Sequence, residues 1–229
     1  MPVLSPKIFD YDGASLRVER PVGLGAIVIG GRGAYAQAMG TLSYTTAMSL
    51  DGYIADASGD FQWVAPDEEI FRHHIDRISS MTAEILGRKT YRLMKHWEDE
   101  PPGEDWGEDE REFARLWRGV KLYVASSTLD ESEISTTDTE LIRKLELERI
   151  KQIVSDAPGE VEIFGPTTAA EAIRAGLVDD FRFFIAPILV GGGLAALPQG
   201  MRLNLELVEE KRFSGGTVFV HYKNKHEGS

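Results

Sequence analysis

The feature that most limits how this chain can fold is the alternation of short strand-like runs with amphipathic stretches. Runs rich in β-branched, aromatic and aliphatic residues occur at 41–48, 83–86, 121–125 and 160–164. Such alternation predicts βαβ units, in which parallel strands form a sheet covered by helices. Three later β-type runs have no helical pattern between them, at 181–190, 203–213 and 217–222. We therefore predict a three-layer α/β/α sandwich with a mixed, mostly parallel sheet and antiparallel C-terminal strands.

Patterns between the strands predict two helices and a loop. Residues 67–80 carry acids in the first turn and apolar residues at helical spacing, which predicts a helix. Thr137 and Glu140 have the spacing of a capping box, which predicts a helical stretch that ends near Val154. The segment 98–110 is acidic and contains prolines and glycines. We expect it to be a solvated surface loop.

The first 39 residues differ from the rest because prolines and glycines interrupt every sustained period. Glycines at 23–25 and 30–33 flank a short apolar run, as in a dinucleotide loop, but no helical pattern follows them. A packing strand, a flexible arm and a non-native extension remain alternatives. We therefore divide the chain into an N-terminal arm or extension, 1–39, and one catalytic domain, 40–224.

Composition narrows the possible partners and chemistry. Asp and Glu outnumber Lys and Arg by 37 to 25, for a net charge of −12, which disfavours nucleic acid and anionic membranes as partners. The chain contains no cysteine, so thiol chemistry and cysteine metal sites are excluded. His73 and His74 are adjacent, which is the wrong spacing for one metal on a helix, and we expect no metal. No apolar run suits a membrane helix or a signal peptide, so we expect a cytoplasmic protein.

Two strand-to-helix turns, 87–90 and 165–168, have the composition of an anion site. Glycine allows a phosphate to approach the backbone closely, and the following helix offers free N–H groups. The first turn adds the cations of Arg88 and Lys89 and a hydroxyl at Thr90, whereas the second carries only small residues after Pro166. Because both turns follow strands of one predicted sheet, we expect them at the same edge.

Three segments together resemble a known family. They are Ala-Met-Ser-Leu-Asp-Gly-Tyr-Ile at 47–54, Gly-Arg-Lys-Thr at 87–90, and the stretch 176–193 with its Gly-Leu-Val-Asp-Asp and Ala-Pro-Ile-Leu-Val-Gly-Gly-Gly ends. In order and spacing they resemble the dihydrofolate-reductase-like fold, and within it the RibD C-terminal domain, the reductase half of bacterial deaminase–reductases of riboflavin synthesis. The resemblance covers roughly residues 41–223.

The resemblance implies an NADPH-dependent oxidoreductase. Arg88, Lys89 and Thr90 would hold the 2′-phosphate and diphosphate, which favours NADPH over NADH. Ala47 and Ile54 would frame the nicotinamide carboxamide. The other implied cofactor-binding residues are Gly87, Ser126 and Ser127 beside the adenosine, and Gly165, Pro166, Thr167, Thr168 and Ala169 at the diphosphate.

The resemblance is weaker on the substrate side. The riboflavin enzymes usually carry a lysine where Thr45 stands and a glutamate where Phe164 stands, so two polar substrate anchors are replaced. Asp51 is the candidate for substrate contact or proton handling, although an Asp before Gly is also ordinary turn chemistry. The predicted substrate-binding residues are Thr45, Ser49, Asp51, Trp63 and Phe164.

The expected function is therefore hydride transfer to a small heterocyclic or ribosylated substrate, as in 5-amino-6-(5-phosphoribosylamino)uracil reductase. Reduction of another small molecule, dihydrofolate included, and a non-catalytic nucleotide-binding role are the alternatives. The resemblance also implies a homodimer that forms through the C-terminal strands.

Overall fold

The computed structural model describes residues 40–135 and 138–225, so the predicted arm at 1–39 lies outside the described residues. The strands are β1 (Leu42–Ser49), β2 (Tyr53–Ala55), β3 (Met81–Gly87), β4 (Lys121–Ala125), β5 (Thr139–Ile142), β6 (Glu160–Phe164), β7 (Asp180–Ala186), β8 (Leu194–Ala195), β9 (Leu205–Arg212) and β10 (Val218–Asn224). The helices are α1 (Glu68–Ile78), α2 (Arg88–Met94), α3 (Glu108–Trp117), α4 (Leu147–Asp156) and α5 (Pro166–Arg174).

Eight strands form one mixed sheet in the order β5-β4-β3-β6-β1-β7-β10-β9. The first six of these strands pair in parallel, from β5 to β7. β10 is antiparallel to both β7 and β9. The predicted mixed sheet with antiparallel C-terminal strands is thereby confirmed. β2 and β8 form a separate two-stranded ribbon next to the end of β1.

Side chains alternate across the sheet and bury a core on each face. On one face, apolar residues of the central strands pack under α4 and α5 through residues such as Ile153 and Ile173. On the other, Leu86, Leu122 and Val124 pack with residues of α1 and α3, where Trp117 is completely buried. Truncation of a buried tryptophan typically costs about 3–5 kcal/mol, so α3 is a strong contributor to this layer.

Local sequence explains where two helices begin. The Asp67 carboxylate accepts a hydrogen bond from Ile70 N at 2.9 Å and caps α1, and Glu68 and Glu69 follow in the first turn. The helix predicted for 67–80 is confirmed. α5 begins at Pro166, because proline is well suited to the first turn of a helix.

Two local predictions were wrong. Glu140 lies in β5, which pairs in parallel with β4, and the helix begins only at Leu147, so strand pairing overrides the capping-box pattern; Thr137 lies outside the described residues. The segment 98–110 is not wholly solvated, since Trp106 is 3% exposed and its ring packs at a tilt against Trp97, with centroids 5.4 Å apart. Its acids stay at the surface while this one side chain enters the core.

The helices of the described chain are all too short or too polar to cross a bilayer.

Candidate active site

The candidate site lies along the edge where the parallel strands end. β3 and β6 are neighbours, and so are β1 and β7, with β6 next to β1. The carboxyl ends of all four strands face the same edge of the sheet, which is where ligands bind in open α/β folds. Two regions at this edge are distinct: a cradle after β3 and β6, and a cleft beside β1 and β7.

The cradle forms because the two glycine turns meet. A Cβ atom built on Gly87 would lie 2.7 Å from Thr168 Oγ1. Gly165 has a φ of +93°, and its Cβ would lie 3.4 Å from Thr90 Oγ1. Each glycine thus faces a hydroxyl from the opposite turn, and any side chain at either position would fill the space between them. The expectation that the turns share one edge is confirmed.

Positive charge and free donors surround this space. Arg88 and Lys89 have no carboxylate partner among residues 40–135 and 138–225, whereas Arg92, one turn on, bonds to Glu133 at 2.8 Å. α5 begins without a side-chain cap, which leaves N–H groups of its first turn available. Unpaired cations in a chain of net charge −12, beside helix N–H donors, form a site suited to a phosphate.

The end of β4 adds polar residues to the side of the cradle. Ala125 pairs with Gly87, which places Ser126 and Ser127 beside the first turn. Ser126 Oγ accepts hydrogen bonds from the backbone of Thr128 and Leu129 at 3.2 and 3.0 Å, so it shapes the turn. The hydroxyl of Thr128 accepts a hydrogen bond from Arg88 and orients its guanidinium.

The second region is a small cleft of about 30 Å³ that opens to solvent. Among the predicted residues, Ala47 and Trp63 lie in its wall. Its complete lining is Ala47, Trp63, Val64, Ala65, Ile70, His74, Phe184, Ala186 and Thr217. Trp63 is fixed by a hydrogen bond from Nε1 to Asp60 O at 3.1 Å. The cleft has room for one small group between tryptophan, phenylalanine and the end of β1.

Other predicted residues do not line this cleft. Thr45 is 3% exposed, and its hydroxyl donates to Glu162 Oε2 at 2.9 Å beneath α1. Ser49 is buried and accepts a hydrogen bond from Tyr53 N at 3.0 Å. Phe164 packs with the core under α1 and α3, and Ile54 lies in the β2 ribbon. Their predicted roles in binding stay predictions.

Asp51 lies on the outer side of the loop after β1. Its carboxylate accepts hydrogen bonds from Val190 N at 3.2 Å and Gly191 N at 2.7 Å, and so ties this loop to the one after β7. Hydrogen bonds from Ser49 and from these backbone groups hold the pKa of Asp51 below its ordinary value. A carboxylate that stays ionised is a poor proton donor at neutral pH, and its catalytic role stays a prediction.

Buried ion pairs lie under α1, below the cleft. Glu162 pairs with Arg77 of α1 and accepts from Thr45. Glu160 accepts two hydrogen bonds from Arg182, at 2.7 and 3.0 Å. Removal of one partner from such a pair would leave a buried charge, so these groups hold α1 on the sheet.

Glu84 is a separate case in the same layer. Burial raises its pKa to about 8, and the nearby Glu162 carboxylate raises it further, while Trp117 Nε1 donates to Glu84 Oε2 at 3.3 Å. The side chain is therefore mostly protonated at neutral pH.

Sequence reasoning missed most of the cleft. Ile70 and His74 share a helix face at a spacing of four, which was visible in the sequence, but nothing there linked them to Phe184, Ala186 or Thr217. Within residues 40–135 and 138–225, no three His, Asp or Glu side chains converge on a possible metal site.

Comparison with known proteins agrees with this geometry. The family model of the RibD C-terminal domain matches residues 41–219. YyaP of Bacillus subtilis, an uncharacterized protein, is 27% identical over 179 residues, which cover 77% of this chain and 90% of the relative.

Solved structures share the fold. A putative riboflavin biosynthesis protein from Shewanella sp. PV-4 is similar with a TM-score of 0.58 and 20% identity, over 81% of this chain and 99% of that one. RibD of Acinetobacter baumannii is similar with a TM-score of 0.60 and 16% identity, over 84% of this chain and 60% of that one. Dihydrofolate reductase of Enterococcus faecalis, complexed with NADP(H), has a TM-score of 0.53 and 14% identity, over 82% of this chain and 98% of that one. Because the family model spans well over half of the chain, the protein belongs to the RibD C-terminal domain family.

Proposed function

We propose that the protein is an NADPH-dependent reductase that transfers hydride to a carbon–nitrogen or carbonyl double bond of a small heterocyclic or ribosylated substrate. The observation that carries this proposal is the cradle, where two glycine turns leave a space that a Cβ would fill, beside two cations without carboxylate partners among the described residues. The named functions of the structural relatives, a reductase complexed with NADP(H) among them, support it.

The residues of the cradle fit the cofactor. Arg88 and Lys89 would bind its 2′-phosphate, a group that NADH lacks. The diphosphate would be bound by N–H groups at the start of α5 and by the Thr90 and Thr168 hydroxyls. The nicotinamide end would lie near Ala47. This residue is in β1, two strands or ~10 Å from β3, the strand that leads into the first glycine turn.

When bound, NADPH supplies the hydride. The chain's contribution is to hold the substrate against Ala47, between Trp63 and Phe184. The substrate then loses its translational and rotational entropy on binding, before the chemical step. The proton would come from water or from Asp51.

The substrate we propose differs from the phosphorylated aminouracil of the riboflavin enzymes. Thr45 and Phe164 replace two polar residues usual in those enzymes, and both side chains are engaged within the protein. A substrate without those two polar contacts fits the chain better, and the aminouracil remains the first compound to test.

Titration of the purified protein with NADPH and NADH, followed by nicotinamide fluorescence, tests the proposal. We expect micromolar binding of NADPH and at least about 10-fold weaker binding of NADH, since a charge-assisted phosphate contact contributes about 1.5–3 kcal/mol. Arg88→Ala should weaken NADPH binding to a similar extent and leave NADH binding unchanged.

Arg92→Ala is the matched control, because Arg92 lies on the same helix but is paired with Glu133. It should bind NADPH as the native protein does. If neither nucleotide binds, the reductase proposal fails and a non-catalytic role becomes the better account.

We also propose that the protein forms a homodimer through its C-terminal strands. Within the described residues, β9 is one of the two edge strands of the sheet, and its side chains Leu207 and Val208 are about half exposed. An unpaired edge with exposed apolar residues favours pairing with a second copy. Light scattering should give the mass of a dimer, and replacement of both residues by lysine should give a monomer; a native monomer would contradict the proposal.

A cytoplasmic location stays a prediction.

A further inference from the structure

The cleft lining carries no charged side chain. Seven of the nine lining residues are apolar, and the other two are Thr217 and His74. An ionised group that entered this cleft would lose part of its hydration and find no counter-ion among the described lining residues. An uncharged group would meet no such cost.

Among the described residues, two side chains of the cleft, His74 and Thr217, have polar atoms without a hydrogen-bond partner, and His74 contributes two of these three atoms. Its ring packs against Phe184, with centroids 4.6 Å apart, and neither ring nitrogen has a hydrogen-bond partner within residues 40–135 and 138–225. By contrast, His221 is bonded to Asp180 at 2.6 Å. A half-buried imidazole that has no partner in the protein is available to a ligand.

The surroundings of His74 keep its imidazole neutral. Burial lowers its pKa to about 3, and the positive charge of Arg77 lowers it further. A neutral imidazole has one N–H donor and one nitrogen acceptor. It can therefore donate to a carbonyl or accept from an N–H group, but it offers no charge to a carboxylate or phosphate.

We propose that His74 is the residue that selects the substrate: its imidazole hydrogen-bonds an uncharged group that carries a donor and an acceptor, and the cleft rejects carboxylates and phosphates. The inference rests on the proposed reductase function, because it takes the cleft beside Ala47 as the substrate site. A charged part of the substrate would have to remain outside the cleft, at the edge of the sheet.

Uracil and orotate are suitable probes because they share one ring and differ by a carboxylate. Binding to the NADP⁺-saturated protein would be followed by NMR of protein labelled with ¹⁵N in its histidine rings. We expect uracil to shift the His74 ring nitrogens and to bind at least about 10-fold more tightly than orotate.

Variants at this position separate hydrogen bonding from shape. His74→Phe should weaken uracil binding by about 10-fold, since the contact is lost, whereas His74→Gln should retain it within about threefold. His73→Gln is the control, because His73 does not line the cleft, although its ring packs on Phe219 and meets the edge of Phe184 at 5.6 Å. It should bind uracil as the native protein does.

The inference is overturned if orotate binds as tightly as uracil, if His74→Phe has native affinity, or if uracil does not bind. NADPH affinity measured on the same samples separates this result from the proposed function. If NADPH binds at micromolar concentration but His74→Phe leaves uracil affinity unchanged, only the inference fails. If NADPH does not bind, the reductase proposal itself fails.

Discussion

The cradle and the cleft lie side by side on one sheet edge, yet they are built in opposite ways. The cradle is polar, with Arg88 and Lys89 unpaired among the described residues, and it comes from two short segments of sequence. The cleft is apolar apart from His74 and Thr217, and its walls come from four separate parts of the chain. Below it, the charged groups are neutralised in buried pairs.

The difference shows how one edge can serve two kinds of ligand group. A phosphate needs local donors and positive charge, which glycine, a cation and a helix start provide within a few residues. A reacting group needs a shaped, dry surface, which only side chains brought together by the sheet can form.

The largest expected effect comes from filling the cradle. Gly165→Ala places a methyl group between the Thr90 and Thr168 hydroxyls, and we expect the NADPH dissociation constant to rise on the order of 100-fold, or about 2.7 kcal/mol. Fluorescence titration measures this change. Alanine at the φ of +93° and ψ of +133° of Gly165 also costs about 1–3 kcal/mol of folding free energy, since this region is sparsely populated by residues other than glycine.

Gly176→Ala separates these two effects. Gly176 also has positive φ, +67°, but no atom lies within 4 Å of its added Cβ, and it follows the other end of α5. Gly176→Ala should lose about 1 kcal/mol of stability and keep native NADPH affinity. If both variants bind equally well, the cradle is not the cofactor site.

A second prediction concerns the layer under the cleft. The folded pKa of Glu84 is about 8, above its unfolded value of 4.5, so its side chain favours the folded state at low pH and this stability is lost as pH rises from 4.5 to 8. Glu84→Gln removes that dependence. We expect the variant to gain on the order of 2–4 kcal/mol over the native protein between pH 5 and pH 8, measured by chemical denaturation.

Glu160→Gln is the contrasting control. Although burial opposes ionisation, the Arg182 pair holds the pKa of Glu160 below its ordinary value, so its contribution is present above pH 4.5 and is lost as pH falls. This variant should be less stable than the native protein at pH 8. Equal pH profiles for both variants would contradict the assignment of Glu84 as a protonated group.

The smallest effect is expected at Asp51, in the loop after β1. Asp51→Asn retains one of the two bonds to Val190 N and Gly191 N, and we expect a loss below about 1 kcal/mol of stability and less than about threefold in turnover. Thermal unfolding and single-turnover NADPH oxidation, with the aminouracil or a substrate found by screening, measure both. A 100-fold slower oxidation with native NADPH affinity would establish Asp51 as the proton source.

Sequence reasoning predicted the sheet and the cradle better than the cleft. Arg88 and Gly165 could be recognised because each belongs to a short motif with its own physical meaning. Glu140 was misassigned because pairing of β5 with β4 overrides a local capping pattern. Trp106 was misassigned because the acidic composition of its segment predicts a solvated loop, whereas its own side chain enters the core.

The sequence by itself determined the alternation of strands and helices, the two glycine turns and the cations beside them, because these depend on residues close together in the chain. Only the tertiary structure decided that Asp51 binds the loop after β7, that Thr45 is held by Glu162, and that His74 opens into a cleft. Each of these depends on which strands become neighbours and which face of α1 meets the sheet. That choice is made by packing over the whole domain, and no local pattern encodes it.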